Sequence, residues 1–509
     1  MLENILAGLS MVLAWDNLFW SFFGVSFGML MGAIPGLTDN MAIVLLLPFT
    51  FYLNPIAGIA MLMGLSKGGN FGGSVPAILF NIPGTPQAMV TSLDGYPLTR
   101  QRKSGKALKM ALYASTIGDT CSDLVLIFLA APVALVALKI GPPEYTMIVF
   151  FSLIIISVAA TEDAIKGVMA TGIGLILGTV GLDPMEGTPR LEFGIIELSD
   201  GFQIMPMVIG LLAFSEVLRQ IELDVVKKND QKSSALTGVK DAKNRHAESK
   251  DSNHRVTLQE FKGTLRTIFR STGIGSAMGI IPGIGTTVAA YLSYISAKRA
   301  SKHPELFGKG SLEGIASCEA GNNAVVGPNL VPLVTLGIPG NLAAALILGG
   351  FMIKGLTPGP MFMQQNAPLL YGLFTVLLIS NFYTFLVGNF FIRYVRKVTS
   401  IPKPILFSSI LIFSVIGSYV FQSSIFDIFM MFCFGILGYI FTKLQINLPT
   451  VIVAFFLGPL FERKIRQALL ISGGDVTIFF TRPISLAFFI LTIVGVIFLI
   501  RRKRKIPIK

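Results

Sequence analysis

Four segments of this 509-residue chain read Ile-Pro-Gly: 34–36, 82–84, 281–283 and 338–340. Proline lacks an N–H and clashes with the preceding turn, so each segment interrupts a helix. An interrupted helix frees backbone groups. The N–H groups of the next half-helix can hold an anion, and freed carbonyls can hold a cation. Side chains suited to both tasks cluster at the breaks. Ser74, Asn81, Pro83, Gly84 and Thr85 in one half, and Asn323, Pro339, Gly340 and Asn341 in the other, are candidates for binding an anionic substrate. Their amides and hydroxyls offer hydrogen bonds at a low desolvation cost. Thr38, Asp39, Asn40, Thr286, Thr287, Glu319, Asn322 and Thr335 are candidates for coupling a cation, Glu319 foremost because it precedes the Asn322-Asn323 pair. The bland alternative for each is a helix cap or an interhelical hydrogen bond.

Charges inside apolar stretches are functional candidates by default. Lys67 lies just before a glycine-rich segment, where it would attract carboxylates or else snorkel to an interface. Asp119 and Asp123 stand four apart on one helix face, placed to bind a cation or proton, to be solvated near a helix end, or to meet a partner subunit.

The elements that position these residues are membrane helices. The chain is 52% hydrophobic and 14% charged, against about 25% charged in an ordinary soluble protein. Apolar runs recur along almost all of it, which predicts about 10–12 membrane segments of roughly 20 residues each. The runs are continuous rather than alternating, which excludes a β-barrel. The net charge of +13 sits in short loops between apolar runs, a topology signal rather than a nucleic-acid surface. Cys121, Cys318 and Cys433 are far apart and form no metal motif or disulfide framework. The three histidines lie in polar loops, away from any intramembrane ligation. Residues 1–16 hold no Lys or Arg, so no cleavable signal peptide is expected.

The fold class expected is an all-α polytopic membrane protein built from two inverted-topology repeats. Residues 1–222 form the first, 223–269 a polar, basic cytoplasmic linker, and 270–509 the second with a basic cytoplasmic tail. Gly28-Met-Leu-Met-Gly32-Ala-Ile-Pro35-Gly36 matches Gly275-Ser-Ala-Met-Gly279-Ile-Ile-Pro282-Gly283, and Val75-Pro76 before Pro83 matches Val331-Pro332 before Pro339. Basic residues follow the second break of the first half (Arg100, Arg102, Lys103, Lys106, Lys109), whereas Lys354–Pro368 has one Lys. That asymmetry implies opposite orientation. Residues 272–296, flanked by basic stretches, read as a re-entrant hairpin with Pro282 near its tip. By symmetry Pro35 tips a second hairpin entering from the other side.

Seven longer motifs resemble the large permease subunit of the tripartite tricarboxylate transporter family. They are Gly72–Pro86, Leu93–Leu108, Gly181–Gly194, Glu313–Ala324, Thr335–Gly340, Gly355–Pro360 and Leu469–Ser485. The resemblance implies a bacterial inner-membrane secondary transporter with a cytoplasmic C-terminus. Its partners would be a small membrane subunit, a periplasmic solute-binding protein and membrane lipid, with no nucleic acid. It would import tricarboxylates such as citrate, or related carboxylates, by symport with sodium or protons. No cofactor is expected beyond sodium as a candidate coupling ion, no structural metal, and no enzymatic activity. No GxxxxGK[ST] phosphate loop is found, consistent with gradient rather than ATP drive. The chain departs from the family at Leu37–Asn40, Lys67–Phe71 and Cys318, which leaves substrate and ion open more than fold. A carboxylate-selective channel is the alternative; an enzyme, with Ser472-Gly-Gly-Asp475 as its lure, lacks a paired catalytic acid.

Overall fold

The computed structural model describes residues 2–34, 37–159, 163–223, 255–398, 403–420 and 422–504. Pro35, Gly36, most of the expected linker and the last five residues lie outside the described residues. The described residues are mostly helical. Its longer helices are α1 (Leu2–Val12), α2 (Trp15–Gly32), α3 (Asp39–Leu46), α4 (Pro55–Phe80), α5 (Ala88–Arg100), α6 (Ser104–Ala137), α7 (Pro142–Ala159), α8 (Ala164–Leu177) and α9 (Ile204–Leu223). The second half continues with α10 (Leu258–Ile280), α11 (Thr286–Ala300), α12 (Leu312–Asn323), α13 (Leu330–Leu336), α14 (Leu342–Ile353) and α15 (Ala367–Val398). It ends with α16 (Lys403–Val420), α17 (Ile425–Lys443), α18 (Leu448–Ile471) and α19 (Pro483–Arg504). The described strands are Gly181–Leu182 and Pro189–Arg190, a two-stranded antiparallel ribbon between α8 and α9.

Among the described residues, five helices are long and apolar enough to cross a membrane unaided (α6, α7, α9, α15, α17), and a sixth results if α1 and α2, bent by 70°, count as one. Most of the difference from the expected count lies in broken or shorter apolar elements such as α8, α14 and α16. The linker expected over 223–269 ends early: α10 starts at Leu258 because Thr257 and Glu260 form a reciprocal capping box.

Glycines set the helix directions. A Cβ on Gly24, Gly28 or Gly32 would come within 2.3, 2.2 and 2.4 Å of the carbonyls of Met61, Leu65 and Gly69. Both number series rise together, so α2 and α4 run parallel in near backbone contact, as small-residue stripes permit. The chain between them must therefore turn back, and α3 is the returning arm of a hairpin. The second half repeats this: Gly275 and Gly279 of α10 press on the carbonyls of Gly321 and Val325, so α10 and α12 are parallel and α11 returns.

Contacts across the halves have the opposite sense. Asn70 of α4 meets Asn323 of α12, and four residues later Ser74 meets Glu319, four residues earlier. Leu112 and Asp123 of α6 meet Gly388 and Asn381 of its counterpart α15. Equivalent helices run antiparallel, so the two repeats are inverted. The packing is reciprocal, with α6 on α12 and α15 on α4.

Candidate functional site

Each α4- or α13-side break is built from its sequence. Asn81 and Gly337 end their helices in the left-handed conformation (φ 56° and 66°), which Asn and Gly tolerate best. Both donate four residues back, to Ala77 O and Leu333 O; the next N–H reaches Pro76 O and Pro332 O. The following proline holds Ile82 or Ile338 extended, and a new helix starts past the glycine. Gly340 closes on the other hairpin by accepting from Gly283 N at 2.8 Å.

The result is a cavity of about 490 Å³ onto which the starts of four helices open, one after each break. Asp39 and Asn40 begin α3, Pro86 and Gln87 precede α5, Gly285 to Thr287 begin α11, and Asn341 caps α14. Each helix start carries about half a positive charge from its free N–H groups. No Lys or Arg lines this cavity, and Asp39 is its one acidic residue among those described. Ser66, Asn70 and Asn329 add neutral polar groups. A second cavity of about 940 Å³ shares Asn40, Pro86, Leu342, Asn447 and Pro449 with the first and reaches Asp163, Lys166 and the Glu216–Arg219 pair at the helix ends. Thr38, Pro83, Gly84 and Thr85 line it, and the buried Thr85 hydroxyl has no hydrogen-bond partner among the described residues.

Behind the cavity runs a polar network. Gln87 donates to Asn70 (2.6 Å), and Asn70 donates to Asn323 (3.1 Å) and more distantly to Asn322 (3.4 Å). Asn323 donates in turn to Asn322. Glu319 is wholly buried and accepts from Ser74 (2.6 Å), Thr91 (2.5 Å) and Ser115 (2.8 Å). Its oxygens are thus committed to neutral donors.

Lys67 is placed elsewhere. It is fully buried and pairs with Asp119 (2.8 Å) and Asp123 (2.7 Å), and it donates to Asn381 at 2.8 Å. Asn381 also donates to Asp123 (2.7 Å). The cluster joins α4, α6 and α15, so Lys67 is occupied and does not line the cavity. Asp119 and Asp123 are neither solvated nor free.

The sequence candidates therefore separate. Asp39, Asn40, Thr286, Thr287, Gly340 and Asn341 meet at the inner cavity, and Thr38, Pro83, Gly84 and Thr85 at the larger one. Ser74, Glu319, Asn322 and Asn323 form the network behind. Lys67, Asn81, Pro339 and Thr335 line neither cavity: Asn81 is a helix cap, and Thr335 donates to Val331 O of its own helix. Sequence reasoning missed Ser66, Gln87 and Asn329. Gln87 directly follows the Gly72–Pro86 motif already singled out; Asn329 carries no such signal.

Residues 18–453 match the model of the tripartite tricarboxylate transporter TctA family. A protein of Agrobacterium vitis described as an uncharacterized 52.8 kDa protein in the TAR-I ttuC' 3' region is 35% identical over 485 residues, 95% of this chain and 93% of the relative. Another from that organism, an uncharacterized protein in the TAR-II ttuC' 3' region, is 38% identical over 223 residues, 44% of this chain and 92% of its own. No solved structure matches the chain significantly. With nearly its whole length matched in family and in relative, this chain belongs to the tripartite tricarboxylate transporter TctA family.

Proposed function

We propose that the chain is the large permease subunit of a binding-protein-dependent secondary transporter in the bacterial inner membrane. It imports tricarboxylates or related carboxylates on a sodium or proton gradient by alternating access, with its C-terminus in the cytoplasm. A small membrane subunit and a periplasmic binding protein complete the system. The observation that carries this reading is the convergence of four helix starts on one cavity without a fixed cation. Such a site attracts carboxylates yet releases them, because partial charges bind less tightly than a buried Lys or Arg. Asp39 would repel the substrate unless neutralised, so it is the natural place for the coupling cation, with Asn40 and freed carbonyls as further ligands. The larger cavity then opens to the cytoplasm and is the exit route of the released anion.

The test is uptake of labelled di- and tricarboxylates into proteoliposomes holding all three proteins under an imposed sodium or proton gradient. Saturable, gradient-dependent uptake is expected in the parent, with Asn341→Ala and Thr287→Val each lowering it about tenfold, the loss of one hydrogen-bond donor to the substrate. If both variants transport normally, the site is misplaced; non-saturating flux without a gradient points instead to a channel.

A further inference from the structure

A further, smaller pocket of about 300 Å³ lies beyond the Gly337–Gly340 break. Its walls include Tyr145, Leu336, Gly337, Pro360, Arg463 and Lys464. Two helices place it on the opposite face from the open cavities. On α18, Pro449 lines the large cavity and Lys464 the small pocket, about 22 Å apart at 1.5 Å per residue. On α7, Ala159 lines the inner cavity and Tyr145 the small pocket, again about 21 Å apart. Between them stands a thin wall. Gly337 faces the small pocket, while Gly340 and Asn341 face the inner cavity. The Tyr145 hydroxyl pins that wall by donating to Leu336 O.

The cations here are unusual for their neighbourhood. Arg466 pairs with Asp183 and Glu462 (both 2.9 Å), Arg190 with Glu462 (2.7 Å) and Arg482 with Glu144 (3.1 Å). Backbone N–H groups of Glu186 and Met185 hold Asp183 below the usual carboxylate range, so it stays ionised and occupies Arg466. Arg463 and Lys464 have no carboxylate partner among the described residues. Lys464 is half-buried over the Tyr145 ring (5.2 Å) and reaches only the Gln467 amide, at 3.3 Å. A stacked, half-buried ammonium has lost water without gaining an anion, and an oxyanion would restore the balance.

We propose that Arg463 and Lys464 form a second carboxylate-binding site, a vestibule from which the anion reaches the inner cavity when the Gly337–Gly340 wall moves. The proposal rests on the transport reading above and adds where the substrate waits before crossing. A lipid phosphate offers the same oxyanion chemistry, so the test must tell soluble from lipid anions.

The experiment uses the complete transporter in proteoliposomes, in a background lacking the three native cysteines, with Gln467→Cys as a reporter beside both cations. Modification by an anionic methanethiosulfonate is expected to outpace the cationic reagent, and millimolar citrate or succinate to slow it about tenfold. Arg463→Gln/Lys464→Gln should abolish both effects and raise the KM for uptake, with charge-conserving Arg463→Lys/Lys464→Arg restoring them. The proposal is overturned if neither acid protects the reporter, if protection persists in the double glutamine variant, or if it follows the phosphatidylglycerol content. Pro360→Cys, in the pocket wall, serves as reporter if Gln467→Cys fails to assemble. Failure of the transport reading looks different: the parent itself then shows no saturable uptake.

Discussion

Replacing Lys67 by Met tests the buried charge cluster. Lys67 contacts two carboxylates and one amide, all within 2.8 Å and all buried. Met preserves length and most of the volume but removes the cation. Asp119 and Asp123 are then left facing each other at low dielectric, and breaking such a pair costs about 3–5 kcal/mol. Asn381 can still donate to Asp123, which keeps the loss toward the lower end. Removing the charges together should be far milder. With Lys67→Met, Asp119→Asn and Asp123→Asn combined, no unpaired charge remains, and the net cost should fall to about 1–2 kcal/mol. The assay is equilibrium unfolding in mixed detergent–SDS micelles, run for the parent, the single variant and the triple variant. Substrate uptake is read alongside. A single variant as stable as the parent would refute the pairing. So would a triple variant less stable than the single one, because the cost would then lie in packing rather than in uncompensated charge.

Two further outcomes follow from the geometry. Asp94 accepts from the backbone N–H groups of Gly308, Gly310 and Ser311 (2.8–2.9 Å) and from the Tyr294 hydroxyl (2.9 Å), fixing the loop that starts α12. Asp94→Ala should cost about 2–4 kcal/mol and Asp94→Asn about half of that, since the amide still accepts; amide hydrogen exchange over 305–315 should rise in the same order. Gly68 has no space for a methyl group, because a Cβ would lie 2.1 Å from Val25 O. Gly68→Ala should force α2 and α4 apart at a cost of about 1–3 kcal/mol or more, visible as a lower melting temperature, while Gly172→Ala, which meets nothing within 4 Å, should be neutral.

Much of the architecture was legible in residue order. The Ile-Pro-Gly repeats and the basic loops implied broken membrane helices, two inverted repeats and two hairpins, because proline and glycine act through local backbone sterics. What the chain itself could not say was where each polar side chain points. Helices such as α4 and α12 are buried on every side, so no apolar face marks one direction as inward. Lys67 and Glu319 are alike as charges in apolar runs. Only the pairing of α4 with α6 and α15 gave Lys67 its two carboxylates, and only the antiparallel meeting of α4 and α12 gave Glu319 the Ser74 hydroxyl from 245 residues away. Asn329 shows the same limit, being unremarkable in sequence until α11 and α14 close around it. Local interactions determine where a helix breaks; which groups the breaks gather is a long-range outcome, decided by the inverted packing of one half on the other.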